Sequence, residues 1–190
     1  MAPEIPRFAP GIELPPYTYI PRRSPHPISD PAGHSFGRSP SPPLALVDWQ
    51  QSVEYCHAVD LFNHGYYWEA HEEWEGLWQV AGRRSPLAQA LQGLIKLAAA
   101  GVKTAAGSEK GRRRHASRAA ELFDQAAAAP AEIQTALRRA TGLSLEQLAL
   151  WSRAAACEGE WISMPEFEQP QQPIETPRCL FAFRLLPGGA

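Results

Sequence analysis

The chain has 190 residues, the length of one domain with additional segments, and 44% of them are hydrophobic, enough for a buried core. Its formal net charge of −2 excludes a strong field that would recruit nucleic acid or anionic lipid. Three scattered cysteines (Cys56, Cys157, Cys179) form neither a disulfide framework nor a paired-cysteine metal site. No secretion leader is recognised, and polar residues interrupt the most apolar window, 87–106, so we expect a cytoplasmic protein without a membrane span.

Residues 1–43 are expected to form an extended N-terminal arm. They contain twelve of the 19 prolines, a density that excludes regular helices and central strands. They also contain apolar and aromatic residues, which are rare in disordered chains. We therefore expect the arm to lie on the rest of the protein, at least from Leu14 to Phe36. Within it, His26, Asp30 and His34 are candidate metal ligands, although Asp-Pro with a following glycine is also typical of a turn.

Residues 44–158 are expected to form a helical domain, because apolar residues recur there with a helical period. The predicted helices are 48–64, 66–81, 86–106, 109–129, 131–140 and a last one opened at Ser144 and ending near 157. Ser85 before a proline is a typical N-cap, and Ser144 with Gln147 forms a capping box. On the first helix, Glu54 and His57 point away from the apolar stripe, which favours a solvated face over a metal site.

Residues 159–190 contain prolines again and are expected to form an extended C-terminal arm. Four apolar side chains could attach this arm to the helices (Trp161, Phe167, Leu180, Phe181). The predicted fold is therefore all-α: a bundle of helical hairpins, similar to tetratricopeptide units, with extended Pro-rich arms at both ends.

The densest group of aromatic and ionisable residues lies between 61 and 78. On the predicted second helix, Trp74 and Trp78 belong to the apolar side, and Glu69, Glu72 and Glu73 are expected at the surface. His71 and Glu75 are four residues apart, so their side chains can meet at the boundary between core and water. This pair is the candidate catalytic site.

Three interpretations of His71 and Glu75 remain open. In the first, the pair binds a divalent metal, and because two ligands are too few, His26, Asp30 or His34 of the arm completes the site. In the second, Glu75 orients His71 for acid–base catalysis.

In that second interpretation, Gln92 or Lys96 of the third helix binds an anionic or carbonyl group of the substrate. In the third interpretation, the same residues form a structural network in which Lys96 pairs with Glu75 and Gln92 with His71. The sequence favours this third interpretation.

Two segments carry a family resemblance. They are Leu61-Phe62-Asn63-x-Gly65-x-Tyr67-x-Glu69-Ala70-His71-Glu72-x-Trp74-Glu75-x-x-Trp78 and Gln92-Gly93-Leu94-Ile95-x-Leu97-Ala98-Ala99. Over residues 48–127 the chain resembles the family known as domain of unknown function 309 (DUF309). The resemblance implies a compact fold of helical hairpins and does not imply a reaction.

The function predicted from these patterns is a helical scaffold that binds a protein or a small ligand, with Trp74, Trp78, Gln92 and Lys96 as candidate binding residues. The alternative is a metal-assisted or acid–base hydrolase centred on His71 and Glu75. The basic run 112–114 lacks interleaved aromatic residues, so nucleic acid is the less favoured partner.

Overall fold

A computed structural model describes residues 5–37, 48–82, 84–157, 177, 179–181 and 183–188 of the chain. Within these residues all regular structure is helical, which confirms the predicted all-α fold. A short 3-10 turn, Trp49–Gln51, precedes six helices: α1 (Val53–Asn63), α2 (Tyr67–Val80), α3 (Pro86–Ala105), α4 (Glu109–Ala126), α5 (Ala131–Thr141) and α6 (Leu145–Ala156). None of the helices in the described ranges is both long and apolar enough to cross a membrane.

Helix boundaries follow the local capping chemistry. Ser85 caps α3 by accepting a hydrogen bond from the Ala88 amide, and Ser144 and Gln147 form the predicted capping box of α6. The first predicted helix, 48–64, is wrong at its start. Ser52 has extended backbone angles and its side chain accepts from the Tyr55 amide, so α1 begins only at Val53.

Helix α3 is the centre of the bundle, packed between α2 and α4, and α4 also packs against α6. Two of its glycines allow close contact with aromatic rings. A Cβ atom at Gly93 would lie 2.6 Å from the ring of Phe123, and one at Gly101 would lie 2.5 Å from the ring of Tyr67. The small residues of α3 therefore determine how near its neighbours can approach.

Residues 5–37 contain no helix or strand and are attached to α1 and α2 by two buried carboxylates. Asp60 accepts hydrogen bonds from the amides of Phe8 and Ala9 and from the guanidinium of Arg7. The second carboxylate is that of Glu69 on α2, which contacts Thr18, Tyr19 and His34. This glutamate also belongs to the candidate site. The expectation that Leu14–Phe36 lies on the helices agrees with these contacts.

The described residues of the C-terminal segment, 179–181 and 183–188, also pack on the helices, where Phe181, Phe183 and Leu185 are buried. Trp161 and Phe167, predicted to attach the C-terminal arm, lie outside the described residues. The domain limits near residues 43 and 158 stay predictions, because residues 38–47 and 158–176 are also outside them.

Candidate functional site

His71 lies between two carboxylates on the outer side of α2. Its Nδ1 is 3.2 Å from Oε1 of Glu72 and 4.0 Å from Oε2 of Glu75. One ligand atom from each of the three residues falls within 4.8 Å of the others. Glu72 was expected at the surface and not as a partner of His71, but its flexible side chain reaches back to the neighbouring ring.

Gln92 and Lys96 of α3 do not form the predicted network with α2. In the described part of the chain, no hydrogen bond or ion pair joins Lys96 to Glu75 or Gln92 to His71. Lys96 instead lies near His115 of α4. Burial lowers the pKa of His115 below its usual 6.5, and the positive charges of Lys96, Lys103 and Arg114 act in the same direction. The predicted pairing of α2 with α3 through these side chains is thus not formed.

The candidate ligands of the arm are engaged by partners other than His71 and Glu75. His26 accepts from the amides of Ile28 and Ser29 and packs edge-on against Trp68, and Asp30 accepts from the amide of Ala32. His34 pairs with Glu69, with Nε2 3.2 Å from Oε1. None of the three belongs to the group formed by His71, Glu72 and Glu75.

Trp74 and Trp78, the two tryptophans among the candidate binding residues, are buried to different degrees. Trp74 is fully buried and packs against Phe62, and Trp78 is half-buried at the edge of the same core. The indole nitrogens of both are buried and lack a hydrogen-bond partner among the described residues. The fully buried ring of Trp74 therefore presents no open face to a ligand.

Glu69 and His57 were both expected at the surface, and both are buried, with 5% and 9% of their surface exposed. Glu69 accepts hydrogen bonds from the hydroxyl of Thr18 and the amide of Tyr19, in addition to its contact with His34. His57 lies 3.6 Å from Glu73. The N-terminal arm covers this side of α1 and α2, and helical periodicity alone does not reveal a covering segment that is not helical.

A groove on α1 and α2 holds the C-terminal segment by its backbone. The buried amide group of Asn63 donates to the carbonyl oxygen of Leu185 at 2.7 Å and accepts from its N–H at 2.9 Å. The hydroxyl oxygen of Tyr67 accepts from the amide of Leu180 at 2.6 Å. The thiol of Cys179 donates to the backbone carbonyl of Asn63. Two polar side chains of the helices thus bind main-chain groups of an extended segment.

The same groove holds aromatic side chains of the segment. Phe181 stacks on Phe62 with 5.2 Å between ring centroids and meets Tyr67 edge-on, and Phe183 stacks on Trp151 of α6. Burial raises the pKa of Tyr67, whose hydroxyl faces the docked backbone. The spacing of Phe181, Phe183 and Leu185 by two residues is a sequence signal that could have identified this segment as extended and half-buried.

Residues 55–115 match the model of a family described as Domain of unknown function (DUF309). Over this stretch, 61 of its 190 residues, the chain is similar to the DUF309 family. This finding confirms the resemblance carried by the motifs at 61–78 and 92–99. No curated protein and no solved structure matches the chain. The DUF309 match includes Asn63, Tyr67, Glu69 and His71 and ends before the C-terminal segment that Asn63 and Tyr67 bind.

Proposed function

We propose that the helical domain is a peptide-binding scaffold whose groove on α1 and α2 recognises extended segments of the pattern aromatic-x-aromatic-x-aliphatic. The observation that carries the proposal is the double hydrogen bond between the Asn63 amide group and the backbone of Leu185. A side-chain amide paired in this way matches the backbone donor and acceptor of any extended residue. It therefore supplies affinity independent of the peptide sequence.

Sequence preference comes from the aromatic part of the groove. Phe181 and Phe183 fill spaces beside Phe62, Tyr67 and Trp151, and each buries most of its ring. Large aromatic side chains in enclosed sites contribute most of the binding energy in many interfaces. A peptide with small residues at these two positions would keep the main-chain bonds and lose the anchors.

In this chain the groove holds the chain's own residues 179–188. A tethered segment competes at an effective concentration in the millimolar range, so an added peptide binds weakly while the segment stays docked. The groove becomes available to a partner when the internal segment is released. Binding by the unmodified chain is therefore expected to be weak and binding by a released form strong.

The experiment compares the full chain with a full-length Phe181→Ala/Phe183→Ala variant. The probe is a fluorescein-labelled peptide with the sequence of residues 177–188, and the readout is fluorescence anisotropy. The variant is expected to bind the peptide at least about tenfold more tightly than the unmodified chain, because its internal competitor has lost both anchors.

The control peptide carries an N-methyl group at the position of Leu185, which removes the N–H that Asn63 accepts. Weaker binding of this peptide, and of the original peptide to a triple variant that adds Asn63→Ala, supports the groove as the binding site. Equal binding of the original and the N-methylated peptide would show that Asn63 does not recognise the backbone and would refute the proposal.

A second candidate function, metal-assisted or acid–base hydrolysis, is favoured by the grouping of His71, Glu72 and Glu75. One imidazole and two carboxylates are a donor set that suits zinc or manganese. A divalent ion held there would supply an activated water, and without an ion His71 would transfer protons while a neighbouring carboxylate orients its ring.

Elemental analysis of protein purified without a histidine tag tests the metal form of this candidate. A content near one ion per chain, lost in His71→Ala and kept in Glu132→Gln on the exposed face of α5, would support it. A protein that contains no metal and binds no added zinc or manganese in a calorimetric titration excludes that form.

A further inference from the structure

A second cavity, separate from the peptide groove, lies between the N-terminal arm and helices α1 and α2. Its volume is about 280 Å³. Residues 12–16, 28, 34 and 35 of the arm form one wall, and His57, Leu61, Trp68 and three glutamates of α2 form the other. The volume is close to the lower limit of ligand pockets, which suits a small molecule.

The described residues that line this cleft include four glutamates and no lysine or arginine. Glu69 is occupied by the arm, but Glu13, Glu72 and Glu73 have side chains that are at least partly exposed. Two histidines, His34 and His57, are the only basic groups among the described lining residues. Even with both of them protonated, four carboxylates leave the lining with a net negative charge.

His57 is a buried polar residue beside the cleft. The side chain lines the cleft, and only 9% of the residue is exposed. Its Nδ1 lies 3.6 Å from Glu73, and its Nε2 is buried with no hydrogen-bond partner among the described residues. If Nδ1 carries the proton towards the carboxylate, Nε2 is an acceptor without a donor, which is costly for a buried group.

The rest of the lining is apolar. Trp68, Leu61 and Leu14 border the same space as the glutamates. An indole ring attracts a cation over its face, and the aliphatic side chains exclude water from an apolar group beside it. The cleft therefore combines negative charge, an aromatic ring and apolar surface.

We infer that this cleft binds a small organic cation, a primary amine that carries an apolar group. The ammonium would lie near Glu72 and Glu73. The apolar group would pack against Trp68 and the arm. A carboxylate of the same shape would meet the glutamates with like charge and is rejected.

The test uses the full chain and two probes of equal shape, 2-phenylethylamine and 2-phenylethanol, in isothermal titration calorimetry. The amine is expected to show saturable binding, at least about tenfold tighter than the alcohol, because hydrogen bonds between charged groups are stronger than neutral ones. In Glu73→Gln, a neutral change of nearly equal size on a partly exposed side chain, the advantage of the amine is expected to fall.

The matched control is Glu121→Gln on the exposed surface of α4, which should bind the amine as the unmodified chain does. Chemical-shift changes in the amides of residues 12–14 and 68–73 would locate the amine in the cleft. Equal binding of amine and alcohol, an unchanged affinity in Glu73→Gln, or no saturable binding up to about 10 mM amine would each overturn the assignment. Amine binding that persists in Asn63→Ala separates this site from the peptide groove.

Discussion

Asp60, a fully buried carboxylate on α1, accepts a hydrogen bond of 2.9 Å from the guanidinium of Arg7 in the N-terminal arm. The same carboxylate accepts from the amides of Phe8 and Ala9. Among the described residues, the hydrogen bonds that the Asp60 carboxylate makes to other parts of the chain are all with residues 7–9. The arm is part of the folded structure on this side of α1. It buries a face of the helix that would otherwise be exposed to solvent.

Replacing Asp60 with asparagine should loosen the start of the arm. The amide nitrogen of asparagine would face backbone donors, and Arg7 would lose its buried counter-charge. We expect a loss of about 3 kcal/mol in the free energy of unfolding, measured by urea denaturation, and faster amide exchange at Phe8 and Ala9. Asp48→Asn, at an exposed site with a left-handed backbone that asparagine tolerates, should change neither quantity. Unchanged exchange at Phe8 in Asp60→Asn would contradict this account.

Glu69 holds a different part of the arm, so its loss should have a different local effect. Glu69→Gln removes the charge that accepts from Thr18 and Tyr19 and that faces His34. We expect a loss of about 1–2 kcal/mol in unfolding free energy. Amide exchange should rise at Tyr19 and His34 and stay as in the unmodified chain at Phe8 and Ala9. A uniform rise along the arm would mean that the two anchors are one cooperative unit.

The helices could be predicted because their signals are local. Ser85 before Pro86 and Ser144 with Gln147 cap helices where expected, since the bonds they make span three residues. The start predicted for the first helix, Asp48, was wrong because it was taken from the apolar periodicity. That periodicity does not reveal the cap formed by the Ser52 side chain, which is also a local signal.

The site could be predicted only in part, because its environment is made by segments distant in the chain. His71 and Glu75 share a helix, and their proximity follows from its period. The burial of Glu69 depends on Thr18, about fifty residues earlier, and Asn63 meets Leu185 more than a hundred residues later. Neither contact has a periodic signal on the helix that provides the side chain.

Cys179 should report docking of the C-terminal segment. Burial raises the pKa of its thiol, and the thiol donates to the carbonyl of Asn63, so the reactive thiolate is scarce while the segment is docked. Cys157 is exposed and is an internal reference. In Asn63→Ala we expect alkylation of Cys179 by iodoacetamide to accelerate about tenfold, as the open form becomes more populated. Mass spectrometry of the labelled peptides measures the rates, and an equal acceleration at Cys56, a half-buried thiol on α1, would point to general unfolding instead.

Two glycine-to-alanine substitutions in helices should affect stability differently: Gly101→Ala should destabilise the protein, and Gly111→Ala should not. At Gly101 the added methyl would lie 2.5 Å from the ring of buried Tyr67, and the expected loss is about 1–2 kcal/mol, despite alanine's better helix propensity. At Gly111 the nearest atoms belong to the Lys103 side chain, which can move, and the Ser108 hydroxyl. Gly111→Ala should be neutral or stabilise by up to about 1 kcal/mol. Thermal denaturation of both variants distinguishes crowding from propensity.

His115 should make the protein less stable in weak acid. Burial lowers the pKa of this imidazole, as do Lys96, Lys103, Arg114 and His71 around it. Between the lowered pKa and the usual 6.5, the unfolded chain binds more protons at this residue than the folded chain. Stability therefore rises with pH through that window and is lost as the pH falls through it.

In His115→Gln this contribution disappears, so the difference in unfolding free energy between pH 7.5 and pH 5.5 should be smaller than in the unmodified chain. Urea denaturation at both pH values measures this difference. The contributions of the histidines that both proteins share cancel in the comparison. Lys96→Gln removes one repelling charge and keeps the imidazole, so it should give an intermediate pH dependence. If His115→Gln kept the full pH dependence, the positive surroundings of His115 would not be acting on its protonation. The loss of stability in acid would then come from other titratable groups.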